Sequence, residues 1–272
     1  MISVAAYAHF KKEDNFSTMN PIWETTTKVR AIDVDVNDRL KVNTILDYFQ
    51  DAASNDAERL NFGYSNFVPM GLTWVLSWAK FEFINYPKFM DEIKIQTWGK
   101  KQFKLYSMRD YLMYNSKDEI MCKGTSAWLL LDSKSLRPKI LNQLYPDLKM
   151  LDTKDALPDL PEKIIPKAQT EIVYSTQIRF SDIDLNQHAN NASYIRLMLD
   201  CFDQEFHKAH TIKSLIVSFN SESKYGHQIQ LSKGIEKDNP LTHYVEAKKL
   251  NSNKTVFQGL VDWKSDSKFA FN

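Results

Sequence analysis

The sequence predicts an α+β fold in which two tandem domains each wrap an antiparallel sheet around one long helix. Three observations support this prediction: a repeat at an offset of 149 positions, an apolar helical pattern in each copy, and strand-like runs after each helix. The strand–helix alternation of a parallel sheet is missing, so a doubly wound nucleotide-binding fold is not expected.

The repeat aligns the segment from Thr27 with the segment from Thr176 without a gap. Polar residues agree at five pairs of positions, which are Arg30/Arg179, Asp33/Asp182, Asp35/Asp184, Asn37/Asn186 and Asp51/Asp200. Apolar character is also kept between these positions. Identical polar residues within a shared apolar pattern favour a duplication over chance.

Each copy continues into a strongly apolar helical pattern. In the first copy, apolar residues recur at helical spacing from Ile45 to Leu60, and Asn61 is a typical stop signal. In the second copy the same spacing runs from Tyr194 to Phe206, after Asn190 or Asn191 as the cap. We therefore expect one long helix in each domain.

Runs rich in β-branched and aromatic residues follow each helix, over 73–132 and again over 212–265. Several alternate in twos, as at Ile93, Ile95 and Thr97, which predicts antiparallel sheet with one buried face. Four aromatic residues of the first run follow the strand period and are expected to fill the core, namely Trp74, Trp78, Phe81 and Phe83.

Five of the nine prolines fall between the copies, within 138–166. Because proline disfavours helix interiors and central strands, this composition predicts an extended linker that runs over the surface. We expect an N-terminal domain over 1–140, a linker over 141–170 and a C-terminal domain over 171–272. Residues 1–18 are a candidate flexible extension of the first domain.

Composition limits the function classes. The 35 basic and 34 acidic residues give a formal charge of +1, so no global attraction to nucleic acid or anionic membrane is expected. Cys122 and Cys201 lack the neighbouring cysteines of a metal or redox motif and are predicted to be reduced, packed thiols. Without an 18-residue apolar run or a secretory signal, a soluble cytoplasmic protein is expected.

The chemistry is expected in the segment from Ser181, where Asp184, Asn186 and His188 alternate in a loop before the second helix. A carboxylate, an amide and an imidazole at a helix N-terminus can orient a base and stabilise a developing negative charge. The first copy has Arg39 in place of His188, so a reaction that needs the histidine would be confined to the second half. The same residue types also occur as ordinary turn and helix-cap residues, so a catalytic and a purely structural interpretation of this loop both stay open.

The motif Asp-x-Asn-x-His followed by Asn-Asn-x-x-Tyr closely resembles the acyl-ACP thioesterases of plastids and bacteria. It is formed here by Asp184, Asn186, His188, Asn190, Asn191 and Tyr194. The resemblance extends from about Trp23 to Trp263. It implies a double hotdog fold and hydrolysis of fatty acyl-ACP thioesters. The implied partner is acyl carrier protein bearing a phosphopantetheine-linked acyl chain, without a metal or an organic cofactor.

The family also carries a glutamate on the strand after the second helix, usually followed by cysteine. Glu222, 34 positions beyond His188, matches that glutamate, and Ser223 stands in place of the cysteine. A mechanism with water as the nucleophile is therefore favoured, with Ser223 as an auxiliary hydrogen-bonding neighbour, since serine without a base is a poor nucleophile.

The resemblance assigns a role to each catalytic candidate. Glu222 would activate water, a task that burial would favour, and Asn186 with the helix-start N–H groups would hold the oxyanion. His188 would orient the water or protonate the departing thiolate, and Asp184 would fix the loop and bias the tautomer of the histidine. The roles of His188 and Glu222 can be exchanged.

Two alternatives stay open beside this hypothesis. One is an acyl-CoA thioesterase of the same fold, because both substrates share the phosphopantetheine arm; the other is a non-hydrolytic acyl-binding module. Duplication within one chain favours the carrier-protein substrate, and the presence of all four candidate residues in one half argues for catalysis.

Other residues have a weaker functional signal. His207 and His210 near Glu205 have a spacing that resembles a metal site, but a solvated helix face is the preferred interpretation. Two groups of lysines are left unassigned as carrier contacts, namely Lys100, Lys101 and Lys104, and Lys248 and Lys249.

Overall fold

The computed structural model describes residues 20–146, 148, 150–165 and 169–266. The predicted α+β fold of two tandem hotdog domains is confirmed, and the two antiparallel sheets join edge to edge into one continuous sheet. The candidate extension over 1–18 lies outside the described residues. No helix of the described part is both long and apolar enough to cross a bilayer.

The first half begins with β1 (Trp23–Lys28) and α1 (Val42–Arg59), followed by the short α2 (Tyr64–Phe67). Its sheet is completed by β2 (Leu72–Phe83), β3 (Glu92–Gly99), β4 (Tyr106–Asn115) and β5 (Ile120–Asp132). Two short elements, β6 (Pro138–Lys139) and α3 (Leu141–Leu144), lead into the linker.

The second half consists of β7 (Glu171–Gln177), α4 (Asn191–Leu199), α5 (Gln204–Ala209), β8 (His210–Phe219), β9 (Gln228–Ile235), β10 (Thr242–Lys249) and β11 (Thr255–Ser265). The strand order across the whole sheet is β1-β3-β4-β5-β2-β8-β11-β10-β9-β7, with β6 paired to β5. The strands thus have the same order in each half, which agrees with the repeat in the sequence.

α1 forms where the apolar spacing predicts it, and it buries its apolar face against the first sheet. Ile45, Phe49 and Ala52 are almost fully buried, and the Phe49 ring stacks on Tyr111 of β4 with a centroid distance of 4.8 Å. Burial of such side chains contributes about 1.5–3 kcal/mol each, so packing holds this helix more than intrinsic propensity does.

The prediction of one long second helix is wrong. α4 ends at Leu199, and Asp203 starts a separate helix by accepting a hydrogen bond from the Phe206 amide at 2.8 Å. The break lets the Phe206 ring pack against Trp263 of β11, 5.0 Å away. The same helical spacing of apolar residues is therefore produced by two short helices with a capped turn between them.

β2 and β8 join the two halves through Trp78–Glu82 and Ser214–Ser218. The pairing stops at a β-bulge between Leu76 and Trp78. The bulge also changes the face of the following residues: Trp78 packs with Met108 on the outer side, whereas Phe81 lies in the core under the helices. Trp78, Phe81 and Phe83 are buried as expected, but Trp78 belongs to a different hydrophobic cluster from the two phenylalanines.

The linker differs from a purely superficial segment. Its backbone is mostly irregular, but Ala156, Leu157 and Ile164 are buried. The Ala156 amide donates to Asp110 at 2.6 Å and the Trp98 indole donates to the Lys154 carbonyl at 3.0 Å. The linker thus covers the outer face of the first sheet, because that face presents Trp98 and Leu112 as well as polar groups.

Candidate active site

The loop that carries the catalytic candidates has the same backbone geometry in both halves. Asp184 Oδ1 accepts a hydrogen bond from the Asn186 amide at 2.8 Å, and the Asp184 amide donates to the His188 carbonyl at 2.9 Å. In the first half Asp35 makes the corresponding contacts with Asn37 and Arg39, both at 2.8 Å. An aspartate that bonds the amide two residues ahead is what this short turn needs.

The start of α4 follows directly from this loop. The Asn190 amide donates to the Asp182 carbonyl, and Asn190 Oδ1 accepts from the Ala192 amide at 3.0 Å, which makes Asn190 the cap. The amides of Ser193 and Tyr194 donate to the Asn190 carbonyl. Within the described ranges, this leaves the Asn191 N–H as the helix-start donor without an acceptor.

Glu222 and His188 meet beside this helix start. The Ala189 amide donates to the Ser223 carbonyl at 2.8 Å and so ties the loop to the segment after β8. His188 Nε2 lies 3.2 Å from Glu222 Oε2. Two of the candidate side chains, 34 positions apart in the chain, therefore lie next to each other.

Two details differ from the expectations. The Glu222 side chain is 58% exposed, against 27% for His188. The burial that was expected to favour Glu222 as the base is therefore not present. The His188 ring contacts Glu222, whereas Asp184 acts on the loop through the Asn186 amide. The carboxylate beside the His188 ring is therefore that of Glu222 and not that of Asp184.

Ser223 is fully buried next to Tyr194. Burial raises the pKa of Tyr194 to about 12, and the Ser223 hydroxyl and backbone oppose part of that rise. Glu222 and Lys224 line the cavity described below, but Ser223 does not belong to the described part of its wall. This placement supports a packing role for Ser223 rather than that of a nucleophile.

A cavity of about 1570 Å³ lies between the two halves. The loop 184–191 and the segment 219–222 form its wall on the second half. The wall on the first half is largely apolar and includes Ala53, Ala57, Leu72, Trp74, Leu76 and Trp128. Ser77, the bulged residue of β2, also lines it. The bulge thus opens the sheet beside the catalytic candidates, a recurrent use of bulges near active sites.

One edge of α1 brings polar groups to this cavity, and the sequence analysis missed them. Asp47, Gln50 and Ser54 line the cavity on a helix whose buried residues are mostly apolar. Burial raises the pKa of Asp47 to about 6, while a hydrogen bond from Asn190 opposes the shift. Their spacing of three and four residues was the available signal for a shared polar face.

The remaining candidates have structural contacts. His207 Nε2 and His210 Nδ1 each lie 3.0 Å from a backbone carbonyl. No group of three or more His, Cys, Asp or Glu in the described part of the chain is arranged to hold a metal. Lys100 contacts Asp155 at 2.6 Å, and Lys248 contacts Glu246 at 2.7 Å.

Both cysteines are free and buried, as predicted, and burial raises the pKa of each thiol.

Comparisons with known proteins agree with this fold. The oleoyl-acyl carrier protein thioesterase 2 of Arabidopsis thaliana chloroplasts is 25% identical over 227 residues, which cover 77% of this chain and 60% of the relative. The chain thus spans about three fifths of the length of the curated relatives it matches.

Solved structures give the same result for the fold. An acyl-ACP thioesterase from Bacteroides thetaiotaomicron matches with a TM-score of 0.79 at 22% identity, covering 90% of this chain and 98% of that one. The 12:0-ACP thioesterase from Umbellularia californica matches with a TM-score of 0.78 at 17% identity, covering 91% and 99%.

Family models match both halves of the chain. Residues 21–145 match the acyl-ACP thioesterase N-terminal domain, and residues 166–265 match the acyl-ACP thioesterase C-terminal domain. These matches cover far more than half of the sequence and include the whole loop from Asp184 to His188 together with Glu222. The chain therefore belongs to the acyl-ACP thioesterase family.

Proposed function

We propose that this protein hydrolyses the thioester between a fatty acyl chain and the phosphopantetheine arm of acyl carrier protein. The observation that carries the proposal is the 3.2 Å contact between His188 Nε2 and Glu222 Oε2 at a large cavity with an apolar wall. Family membership supports the acyl-ACP thioester as the bond that is cleaved.

In the first step Glu222 takes a proton from a water molecule, and the resulting hydroxide adds to the thioester carbonyl carbon. The exposed carboxylate of Glu222 gives water direct access to the base. The oxyanion of the tetrahedral intermediate is held by the Asn186 side-chain amide and the Asn191 N–H. The positive end of the α4 dipole favours the same charge.

In the second step the carbon–sulfur bond breaks and the carbonyl of the fatty acid re-forms. The proton taken from water passes from Glu222 through His188 to the departing thiolate, so a fatty acid and the free thiol of the carrier leave. The 3.2 Å separation of the two side chains is within reach of such a transfer. No metal or organic cofactor takes part.

The two halves have different roles in this proposal. The volume of about 1570 Å³ exceeds the roughly 300–1,000 Å³ of a usual ligand pocket, which leaves room for an acyl chain and part of the arm. The first half, with its domain over 1–140, shapes the acyl-binding wall. The second, over 171–272, carries Asp184, Asn186, His188 and Glu222. We place the reaction in the cytoplasm, where free thiols such as Cys122 and Cys201 are kept reduced.

The test is thiol release from a panel of acyl-ACPs of different chain length. His188→Ala and Glu222→Ala should each lower kcat by about 100-fold, the scale of losing an acid or base group. Glu205→Ala is the matched control, because Glu205 is a surface carboxylate that pairs with Lys208, and it should keep the wild-type rate.

Three outcomes would contradict the proposal. Equal or faster hydrolysis of matched acyl-CoA would move the substrate to coenzyme A thioesters. Stable retention of intact acyl-ACP by folded protein would indicate a binding module. Wild-type rates in His188→Ala and Glu222→Ala would remove the assigned site.

A further inference from the structure

We propose that Gln50, on α1 of the half without the catalytic histidine, is a positioning residue that fixes the oxyanion-binding start of α4 across the interface between the halves. The inference rests on the proposed function for its meaning in catalysis. Its structural content, a clamp on Asn190 and Asn191, is independent of that function.

The clamp consists of both ends of one side-chain amide. Gln50 Oε1 accepts a hydrogen bond from Asn191 Nδ2 at 3.2 Å, and Gln50 Nε2 donates to Asn190 Oδ1 at 3.4 Å. Because Gln50 binds two consecutive residues through an acceptor and a donor, it orients the peptide unit between them. The Asn190 side chain also acts on Asp47, one turn earlier on α1, where it opposes the rise in pKa that burial causes.

The peptide that is held in this way carries the donor needed for the reaction. The Asn191 N–H is the helix-start donor left without an acceptor among the described residues, and Asn191 lines the cavity. A donor for an oxyanion must be fixed before the charge develops, since its reorientation would otherwise add to the barrier. Gln50 supplies this restraint from the opposite half.

The duplication provides an internal comparison. At the offset of the repeat, Leu199 corresponds to Gln50, and Lys41 and Val42 correspond to Asn190 and Asn191. The start of α1 has no side-chain cap, Val42 is a buried core residue, and Leu199 is partly buried against the same core. Leu199 has no side-chain donor or acceptor with which to reproduce the two hydrogen bonds of Gln50. The polar clamp occurs at the helix start next to His188, which is the one expected to meet substrate.

The first variant is Gln50→Leu, which has similar size and no hydrogen-bonding groups. We expect kcat to fall by about 10-fold, less than for outright loss of an oxyanion donor, with KM for acyl-ACP nearly unchanged. Asn55→Ala is the control on the same helix, since Asn55 is exposed, binds Asp51 and does not line the described cavity wall. It should behave as the wild type.

The second variant is Gln50→Glu. Its carboxylate keeps the acceptor for Asn191 but loses the donor to Asn190, and protonation restores that donor. The ratio of its kcat to the wild-type kcat should therefore rise as the pH falls. Other titratable and charged groups line the same cavity, namely Asp47, Asp51, Tyr64, Arg109 and Lys134 from the first half and Asp184, His188, Tyr194, Glu222 and Lys224 from the second half. They are present in both proteins, so the ratio isolates residue 50.

Amide hydrogen exchange at Ala192 and Ser193, whose N–H groups donate to Asn190, gives a readout that needs no activity, and it should be faster in Gln50→Leu. Faster exchange in a protein whose wild type does not hydrolyse acyl-ACP would support the clamp while overturning the proposed function.

A normal kcat and normal exchange in Gln50→Leu, with an active wild type, would overturn the clamp. A higher KM at unchanged kcat would also overturn it, because Gln50 would then bind substrate directly. If Gln50→Leu fails to fold, a pH-independent ratio for Gln50→Glu would refute the proposal.

Discussion

The guanidinium of Arg39 contacts the Asp266 carboxylate at 2.5 Å and donates a second hydrogen bond to the His210 carbonyl at 3.2 Å. Arg39 occupies, in the loop of the first half, the position that His188 occupies in the second. The duplicated loop thus presents a structural cation in one half and the proposed proton-transfer group in the other. The arginine ties the segment after β11 to the first half.

Arg39→Ala should destabilise the fold without changing the chemistry. Both charged groups are largely buried, so losing this charged hydrogen-bonded pair should cost about 1.5–3 kcal/mol of unfolding free energy. Urea unfolding measures the cost, and Arg39→Lys should recover part of it because the charge is kept. An Arg39→Ala variant that is as stable as the wild type but inactive would contradict this assignment.

Asn186 and Asn37 occupy equivalent positions in the two loops, so variants at both test whether only the loop of the second half takes part in catalysis. Asn186→Ala should lower kcat by about 100-fold, the cost of losing one oxyanion donor. Asn37→Ala removes the corresponding side chain, which donates to the His207 carbonyl at 3.4 Å, and should leave kcat unchanged. Saturation kinetics on one acyl-ACP compare them, and equal losses in both variants would mean that the first loop also takes part in catalysis.

Asp47 should make stability depend on pH. Burial raises its pKa from 3.8 to about 6, so the folded state binds a proton more tightly than the unfolded state. The folded state is therefore favoured at low pH, and this advantage is lost as the pH rises from about 4 to 6.

Asp47→Asn removes the titration and keeps an amide that can bond Asn190. Relative to the wild type, its unfolding free energy should rise by about 1 kcal/mol between pH 4 and pH 7, a figure reduced for partial exposure. Urea unfolding at both pH values measures this change. Parallel behaviour of the two proteins would show that Asp47 is solvated.

Asp56 and Arg109 form a buried ion pair between α1 and β4, with Nη1 of Arg109 2.8 Å from Oδ2 of Asp56. Arg59 contacts the other carboxylate oxygen at 2.6 Å. Arg109→Met should cost about 3–5 kcal/mol because it leaves the fully buried carboxylate with one partner fewer.

The double variant Asp56→Leu/Arg109→Met should be less destabilised than Arg109→Met alone, since no buried carboxylate is left behind. A double-mutant cycle by urea unfolding measures the coupling between the two side chains. Strict additivity would show that the two charges act independently.

Local pattern predicted much of the fold. β3 contains the alternating residues Ile93, Ile95 and Thr97, and α1 forms over the predicted apolar spacing. These elements follow from periodicities of two and of about 3.6 residues, which a sequence displays directly. The linker was predicted less well, because burial of Leu157 and Ile164 depends on the outer face of a sheet formed elsewhere in the chain.

The sequence by itself determined the duplication, the fold class and the identity of the loop residues from Asp184 to His188. It also located Glu222, through its place in a family pattern. Only the tertiary structure decided that Glu222 is exposed and contacts His188, that Ser223 faces Tyr194 and lies off the described cavity wall, and that Gln50 reaches Asn191. These are contacts between residues far apart in the chain. They depend on how the two halves of the chain pack against each other. The short-range periodicity of apolar residues predicts helices and strands, but it does not determine this packing.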